Sequence, residues 1–264
     1  MLGAVLSLTL AGLLFGALLA LAARLFAVNV DPRVERVKEA LPGANCGACG
    51  YPGCAGLADA IVKGEAPVDA CPVGGSKTTA AVTAIMGVES CELKSPRVAR
   101  LLCAGGENCV DRGEYGGLPD CAAAALLGGG HKACEYGCLG FGNCERACPF
   151  DAITMGESGF PIIDEELCTA CGKCVAACPK HLIELVPKHQ REWVRCVNHY
   201  KGAVVRKICK TGCITCESCV KNCPSGAMQC VDNVCHIDYD KCQDCGTCAA
   251  KCPVKCIMPG KKVS

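Results

Sequence analysis

The stretch CEYGCLGFGNCERACPF, Cys134 to Phe150, carries four cysteines spaced C-x3-C-x5-C-x3-C and closes on Cys-Pro. A bacterial iron–sulfur cubane is usually wrapped by C-x2-C-x2-C-x3-C-P. Whether this loop is a degraded site or a variant one decides how many metal centres the chain holds. Repetition answers the question. Cys138, Cys144 and Cys148 recur in a second copy as Cys213, Cys219 and Cys223. Cys168, Cys171, Cys174 and Cys178 recur there as Cys242, Cys245, Cys248 and Cys252. Each copy runs from a cysteine loop through a short apolar stretch (AITM, AMQC) and a turn to a second cysteine loop. That is the layout of a two-cluster bacterial ferredoxin, present twice.

Aligning the copies sets Phe141 against Cys216 and Cys134 against Cys209. The first copy lacks the middle ligand, so Cys134 is expected to replace it and Cys209 to be spare. In such ferredoxins three thiolates of a tight loop serve one cluster, and the cysteine before the proline serves the other. The rule groups Cys134, Cys138, Cys144 and Cys178 around one [4Fe–4S] cluster, and Cys148, Cys168, Cys171 and Cys174 around its neighbour. In the second copy it groups Cys213, Cys216, Cys219 and Cys252, then Cys223, Cys242, Cys245 and Cys248. Zinc is the competing reading, but structural zinc uses two paired ligands on each side, and triple loops ending in Cys-Pro argue against it.

A further set, Cys46, Cys49, Cys54 and Cys71, lies in NCGACGYPGC and DACP with spacing C-x2-C-x4-C-x16-C. Its glycines let the backbone approach a cluster closely, so a fifth [4Fe–4S] cluster is expected there, with a zinc knuckle as the alternative. Of 29 cysteines, these sets use 20 and leave nine: Cys91, Cys103, Cys109, Cys121, Cys196, Cys209, Cys230, Cys235 and Cys256. Most are expected as small buried residues beside the clusters. A sixth cluster drawing on Cys103, Cys109 and Cys121 stays open.

Composition supports metal over disulfides. Twenty-nine cysteines in C-x2-C runs suit ligation in a reducing compartment better than a secreted disulfide framework. With only 11 aromatic residues, a core built on Phe, Tyr and Trp is excluded. A net charge of +1 gives no global field that would point to nucleic acid. The five histidines (131, 181, 189, 199 and 236) show no paired ligand spacing. Between Lys188 and Cys230 there are eight Lys or Arg against two Glu, whereas 151–166 holds five acids and no base. These are either solvated faces or a docking surface for an acidic redox partner.

No charged side chain precedes Arg24. As a helix this opening segment would span about 34 Å, enough for a hydrocarbon core of about 30 Å. There is no basic start of the kind a cleaved signal peptide has. Arg24, Arg33, Arg36 and Lys38 follow, so the positive-inside rule places the rest in the cytoplasm. The expected class is therefore α+β: one N-terminal transmembrane helix, a small 4Fe–4S module and two tandem bacterial-type 2[4Fe–4S] ferredoxin-like domains. The expected boundaries are 1–28 for the anchor, 29–75 for the module, 76–133 for a connector, and 134–187 and 188–264 for the two ferredoxin-like domains.

One apolar helix, then NCGACGYPGC with DACP, then ACEYGCLGFGNCERACPFDAI and CTACGKCVAACP, resembles the B subunit of the Rnf complex over nearly the whole chain. The second copy is similar to the longer version found in anaerobes. The resemblance implies an electron-transfer subunit of an ion-translocating membrane oxidoreductase, working between soluble reduced ferredoxin and NAD. Flavins, the nicotinamide site and most membrane helices would lie on the other Rnf complex subunits. It also implies a single-pass location in the cytoplasmic (inner) membrane. Phe141 and Cys256, where such motifs often have alanine, depart from the pattern. The competing readings are a polyferredoxin subunit of another membrane enzyme such as a hydrogenase, and a binding protein for a corrinoid enzyme. No G-x-G-x-x-G after a strand and no G-x4-G-K-[ST] occurs, which leaves nicotinamide and ATP binding unsupported. The thiolates are expected to act as ligands, with no catalytic residue in this chain.

Overall fold

The computed structural model describes residues 2–26, 31–88 and 95–258. Helix α1 (Leu2–Leu25) has Arg24 as its only charge and exposes Leu10, Leu13, Leu14, Phe15, Leu19 and Leu25. Among the described residues no helix is long and apolar enough to cross a membrane. The expected transmembrane helix is thus not established by the fold.

Helices α2 (Pro32–Ala40), α3 (Gly53–Lys63) and α4 (Gly75–Met86) form the N-terminal module. Asp31 caps α2 by accepting the Arg33 N–H at 2.8 Å, with Pro32 in the first turn, where a missing N–H costs nothing. Gly64, in the left-handed region, ends α3. Val37, Leu57, Ile61 and Val82 are fully buried between the three helices, each worth about 1.5–3 kcal/mol relative to exposure.

The stretch expected as a connector does more than connect. It supplies α4 and then strand β1 (Arg97–Leu101), followed by α5 (Cys121–Leu126). The first ferredoxin-like unit continues with α6 (Asn143–Arg146), hairpin β2 (Ile153–Met155) and β3 (Pro161–Ile163), α7 (Lys173–Ala177) and β4 (Ile183–Pro187). β1 pairs antiparallel with β4, Leu101 opposite Ile183 and Arg97 opposite Pro187. The second unit repeats the plan. It comprises β5 (Trp193–Val194), α8 (Gly202–Ile208), α9 (Ser218–Lys221), hairpin β6 (Met228–Val231) and β7 (Val234–Ile237), α10 (Thr247–Lys251) and β8 (Ile257–Met258). β5 pairs antiparallel with β8. Each unit is therefore a hairpin, an outer strand pair, and two short helices that each follow a cysteine loop. Cysteines take the core places that aromatic residues usually fill: Cys103 and Cys174 are buried in one unit, Cys213, Cys219, Cys248 and Cys256 in the other.

The two units are laced together by the residues around β1. The guanidinium of Arg100, buried, lies 4.2 Å over the Trp193 ring, donates to the Gln190 carbonyl and pairs with Glu165. Trp193 Nε1 donates to the Leu101 carbonyl at 3.1 Å, and Thr211 Oγ1 to that of Ala104 at 2.7 Å. Backbone bonds from Val110 N to Ile208 O and from Lys210 N to Asn108 O continue the seam.

Candidate iron–sulfur sites

In the N-terminal module, Cys49, Cys54 and Cys71 pack against the helical core while Cys46 is half-buried on the preceding loop. Burial pushes the Cys71 thiol up, the N–H groups of Gly74 and Val73 point at its sulfur, and Cys49 and Cys54 are close enough to repel its charge. Asn45, held at φ 47°, accepts the Cys54 N–H on its side-chain oxygen at 2.8 Å and so fixes the loop.

Four cavities in the ferredoxin-like units are each lined by a quartet of thiols. Cys148, Cys168, Cys171 and Cys174 line one. Cys213, Cys216, Cys219 and Cys252 line another, with Cys235 and Cys256 behind them. Cys223, Cys242, Cys245 and Cys248 line a third. These are the groups that spacing suggests. The fourth cavity departs from expectation: it joins Cys138, Cys144 and Cys178 with Cys121, while Cys134 faces a different cavity. Phe141 offers no thiol, and the fourth thiol on this cavity comes from α5. Asp120 caps α5 by accepting the Ala123 N–H at 2.9 Å and accepts Asn143 Nδ2 at 2.8 Å. Asn143 Oδ1 in turn accepts the Cys121 N–H at 2.8 Å. This network seats the first residue of α5 against the first residue of α6, beside Cys144. Sequence spacing missed Cys121, and its only signal was a cysteine that the repeat left unassigned.

Burial, with neighbouring thiols adding repulsion, pushes Cys138, Cys174 and Cys248 up to about 12 and Cys144 and Cys219 up to about 11. Such groups are protonated at neutral pH without a cation, so metal must displace protons to bind. Backbone amides are placed to stabilise the thiolates once formed: Leu182 N–H donates to Cys178 Sγ at 3.3 Å, Ala99 N–H to Cys168 and Asp244 N–H to Cys242, both at 3.4 Å. Quartets of sulfur in apolar walls, backed by N–H donors, are the donor set that a [4Fe–4S] cluster takes.

Cys256 has its own effect. Its thiol lies 3.7 Å from Cys252 Sγ and also reaches Cys213; contact with its one S–H, which can go to either sulfur, lowers Cys252 to about 5 and Cys213 to about 7. Cys230 and Cys235 face each other across the β6–β7 hairpin and form a disulfide beside Cys219, not the free buried thiols expected. Cys91 lies outside the described residues.

Comparison with known proteins finds iron–sulfur families over the same stretches of chain. Residues 41–73 match the family described as "Putative Fe-S cluster". Residues 133–183 and 167–227 match 4Fe-4S dicluster domains, and 236–258 a 4Fe-4S binding domain. The chain is 51% identical to the B subunit of the Na(+)-translocating ferredoxin:NAD(+) oxidoreductase complex of Acetobacterium woodii, over 93% of this chain and 74% of that one. It is 43% identical to the B subunit of the proton-translocating ferredoxin:NAD(+) oxidoreductase complex of Clostridium ljungdahlii, over 96% and 91%. It is 40% identical to the B subunit of the ion-translocating oxidoreductase complex of Methanosarcina acetivorans, over 94% and 95%.

Proposed function

Because the chain belongs to the family of B subunits of ion-translocating oxidoreductase (Rnf) complexes, we propose that it is the membrane-tethered part that carries electrons from soluble reduced ferredoxin toward the NAD-reducing, ion-pumping subunits. Its 4Fe–4S domains make it an electron-transfer component of an oxidoreductase, and its homologues work with other subunits of the complex. A bound [4Fe–4S] cluster supplies a one-electron redox centre; the residues of this chain hold it, exclude water and set its surroundings. The carrying observation is the four cavities each lined by four thiols. With the N-terminal Cys46, Cys49, Cys54 and Cys71, five [4Fe–4S] clusters follow, Cys121 taking the place expected for Cys134.

Anaerobically reconstituted full-length protein should then bind at least about 20 irons, four per cluster, with matching acid-labile sulfide. Twelve or fewer, with zinc in their place, would overturn the reading. Helix α1, 24 residues with one charge at its end, is the proposed single-pass anchor in the cytoplasmic membrane. Protein lacking residues 2–25 should leave the membrane fraction, and retention there would place the anchor elsewhere.

A further inference from the structure

Two cysteines outside the quartets meet each other. Cys230 and Cys235 stand directly opposite on β6 and β7, and their sulfurs are bonded. In the first unit the equivalent cross-strand pair is Met155 and Pro161, and both line the cavity of the Cys121, Cys138, Cys144 and Cys178 quartet. This hairpin position therefore lies against a cluster cavity in both units. Apolar side chains close the cavity in one, and sulfur does so in the other. The contact is close. The sulfurs of Cys230, Cys235 and Cys219 lie within 4.8 Å of one another, and Cys213 Sγ is 3.8 Å from Cys235 Sγ. Cys213 and Cys219 belong to the quartet with Cys216 and Cys252.

The two sulfurs differ in access. Cys235 is 3% exposed, whereas Cys230 is half-buried between exposed Gln229 and Val231. One lies against the quartet and the other toward solvent. As a cross-link the bond adds little. β6 and β7 are already joined by their ladder and by a two-residue turn, Asp232-Asn233, with both residues at positive φ. Asn233 also donates Nδ2 to the His199 carbonyl and accepts Thr215 Oγ1 on its own carbonyl. Short loops gain least from closure. In a reducing compartment a disulfide is usually transient and either catalytic or redox-sensing.

We propose that Cys230 and Cys235 form a redox-active dithiol–disulfide couple that takes electrons from the cluster site of Cys213, Cys216, Cys219 and Cys252. Two electrons, arriving one at a time, break the S–S bond, and two protons from solvent complete the Cys230 and Cys235 thiols. Low-potential iron–sulfur donors lie below thiol–disulfide couples, so this direction is downhill. In the return step the Cys230 thiolate attacks an external disulfide, releasing one thiol and forming a mixed disulfide. Cys235 then displaces the second thiol and restores the bond. The chain gains a two-electron site for disulfide substrates beside its one-electron path.

This inference rests on the ferredoxin reading, and thiol labelling separates the two. Full-length protein, reconstituted anaerobically with iron and sulfide, is treated with oxidised glutathione and then with reduced methyl viologen, a one-electron donor. Alkylation and peptide mass spectrometry follow each step. The Cys230–Cys235 pair should be closed after the first step and carry a label on each sulfur after the second. In Cys216→Ala/Cys252→Ala, viologen should leave the pair closed, while dithiothreitol opens it in both proteins. Reductive titration should take up two more electrons in wild type than in Cys230→Ala/Cys235→Ala, as one disulfide requires. A pair that stays closed in loaded wild type while its clusters bleach would overturn the couple and leave the clusters standing. A pair that oxidised glutathione never closes would do the same. Opening by viologen at the wild-type rate in Cys216→Ala/Cys252→Ala would overturn the cluster site as the electron source, and the proposal with it. Wild-type protein that binds no iron would remove the ferredoxin reading and this one together.

Discussion

In the second ferredoxin-like unit, Cys213, Cys216 and Cys219 come from one loop and Cys252 from the returning turn. In the first unit Phe141 stands where Cys216 does, and Cys121 comes in from α5 to fill the quartet. The equivalent segments between the outer strand and the cluster loop have thus been put to different uses. In the first unit that segment carries α5 and delivers a thiol. In the second it is shorter and carries α8, with Lys201, Arg206, Lys207 and Lys210 exposed on or beside it. Solvent access differs as well: Cys216 and Cys245 are exposed, whereas every quartet thiol of the first unit is half-buried or buried. The first unit is built as an interior stage, the second as a surface.

The sharpest way to break that comparison is to move the ligand. Cys121→Ser should remove the first cluster of the first unit, about four irons, and Phe141→Cys in the same chain should restore them from the position Cys216 occupies. Cys134→Ser should leave that cluster's EPR signal intact. If Cys134→Ser rather than Cys121→Ser abolishes it, the cavity has been misread.

How much of this was legible in the sequence depends on where the ligands come from. Cys168, Cys171 and Cys174, or Cys242, Cys245 and Cys248, sit on one tight loop, and spacing alone brings them together. Cys121 lies well upstream of the Cys138 loop and has no cysteine counterpart in the second copy, and only the Asp120–Asn143 contacts place it. Cys134 was the nearer candidate along the chain, but it points to the seam. Strand β1 was similarly hidden: RVARL is a short run with two arginines, and only pairing with β4 makes it a strand. Helices α2 and α3 carry chemical marks at an end, Asp31-Pro32 at the start of one and Gly64 at the close of the other.

The α5–α8 contrast predicts a rate effect. Soluble ferredoxins are commonly acidic, and α8 offers them a basic face beside the seam cavity that Val205 and Cys209 line. Changing Lys201, Arg206, Lys207 and Lys210 to Glu should slow reduction by ferredoxin at least about tenfold at low salt, with little change for a small uncharged donor. The difference should shrink as ionic strength shortens the screening length to about 8–10 Å. Wild-type rates and wild-type salt dependence in the reversed protein would move the docking site off α8.

A smaller asymmetry lies behind the cluster loops. Cys256 offers its one S–H to Cys252 or Cys213 in the second unit, while the equivalent residue in the first is Leu182, which offers no side-chain donor. Hydrogen bonds to ligand sulfur favour the more negative, reduced state. Cys256→Ala should therefore lower one midpoint potential by about 40 mV, the equivalent of one hydrogen bond of about 1 kcal/mol for a single electron. Leu182→Cys should shift the matching centre upward. An EPR-monitored redox titration reads both, and an unchanged potential in Cys256→Ala would mean that its thiol only fills space.

The smallest expected effect concerns what replaced the missing ligand. Phe141 packs against Tyr115 and His131, with ring centroids 5.2 and 5.4 Å away. Burial lowers the His131 pKa from its ordinary value of 6.5; the Lys132 charge adds to this, and Asp111, 3.8 Å from Nε2, opposes it. With the folded value below the unfolded one, the unfolded chain takes up the proton first as pH falls through about 6.5. Stability of the first unit should therefore be complete above that pH and decline below it. His131→Phe removes the titrating group while keeping the aromatic stack. Chelator extraction of iron from the first unit should be faster at pH 5.5 than at pH 7.5 in wild type, and the ratio should fall toward one in His131→Phe. The second unit, with Cys216 where Phe141 stands, should show the same acid dependence in both proteins. If the variant keeps the wild-type pH profile, the acid sensitivity comes from protonation of the ligand thiolates themselves, and the aromatic stack is only a plug.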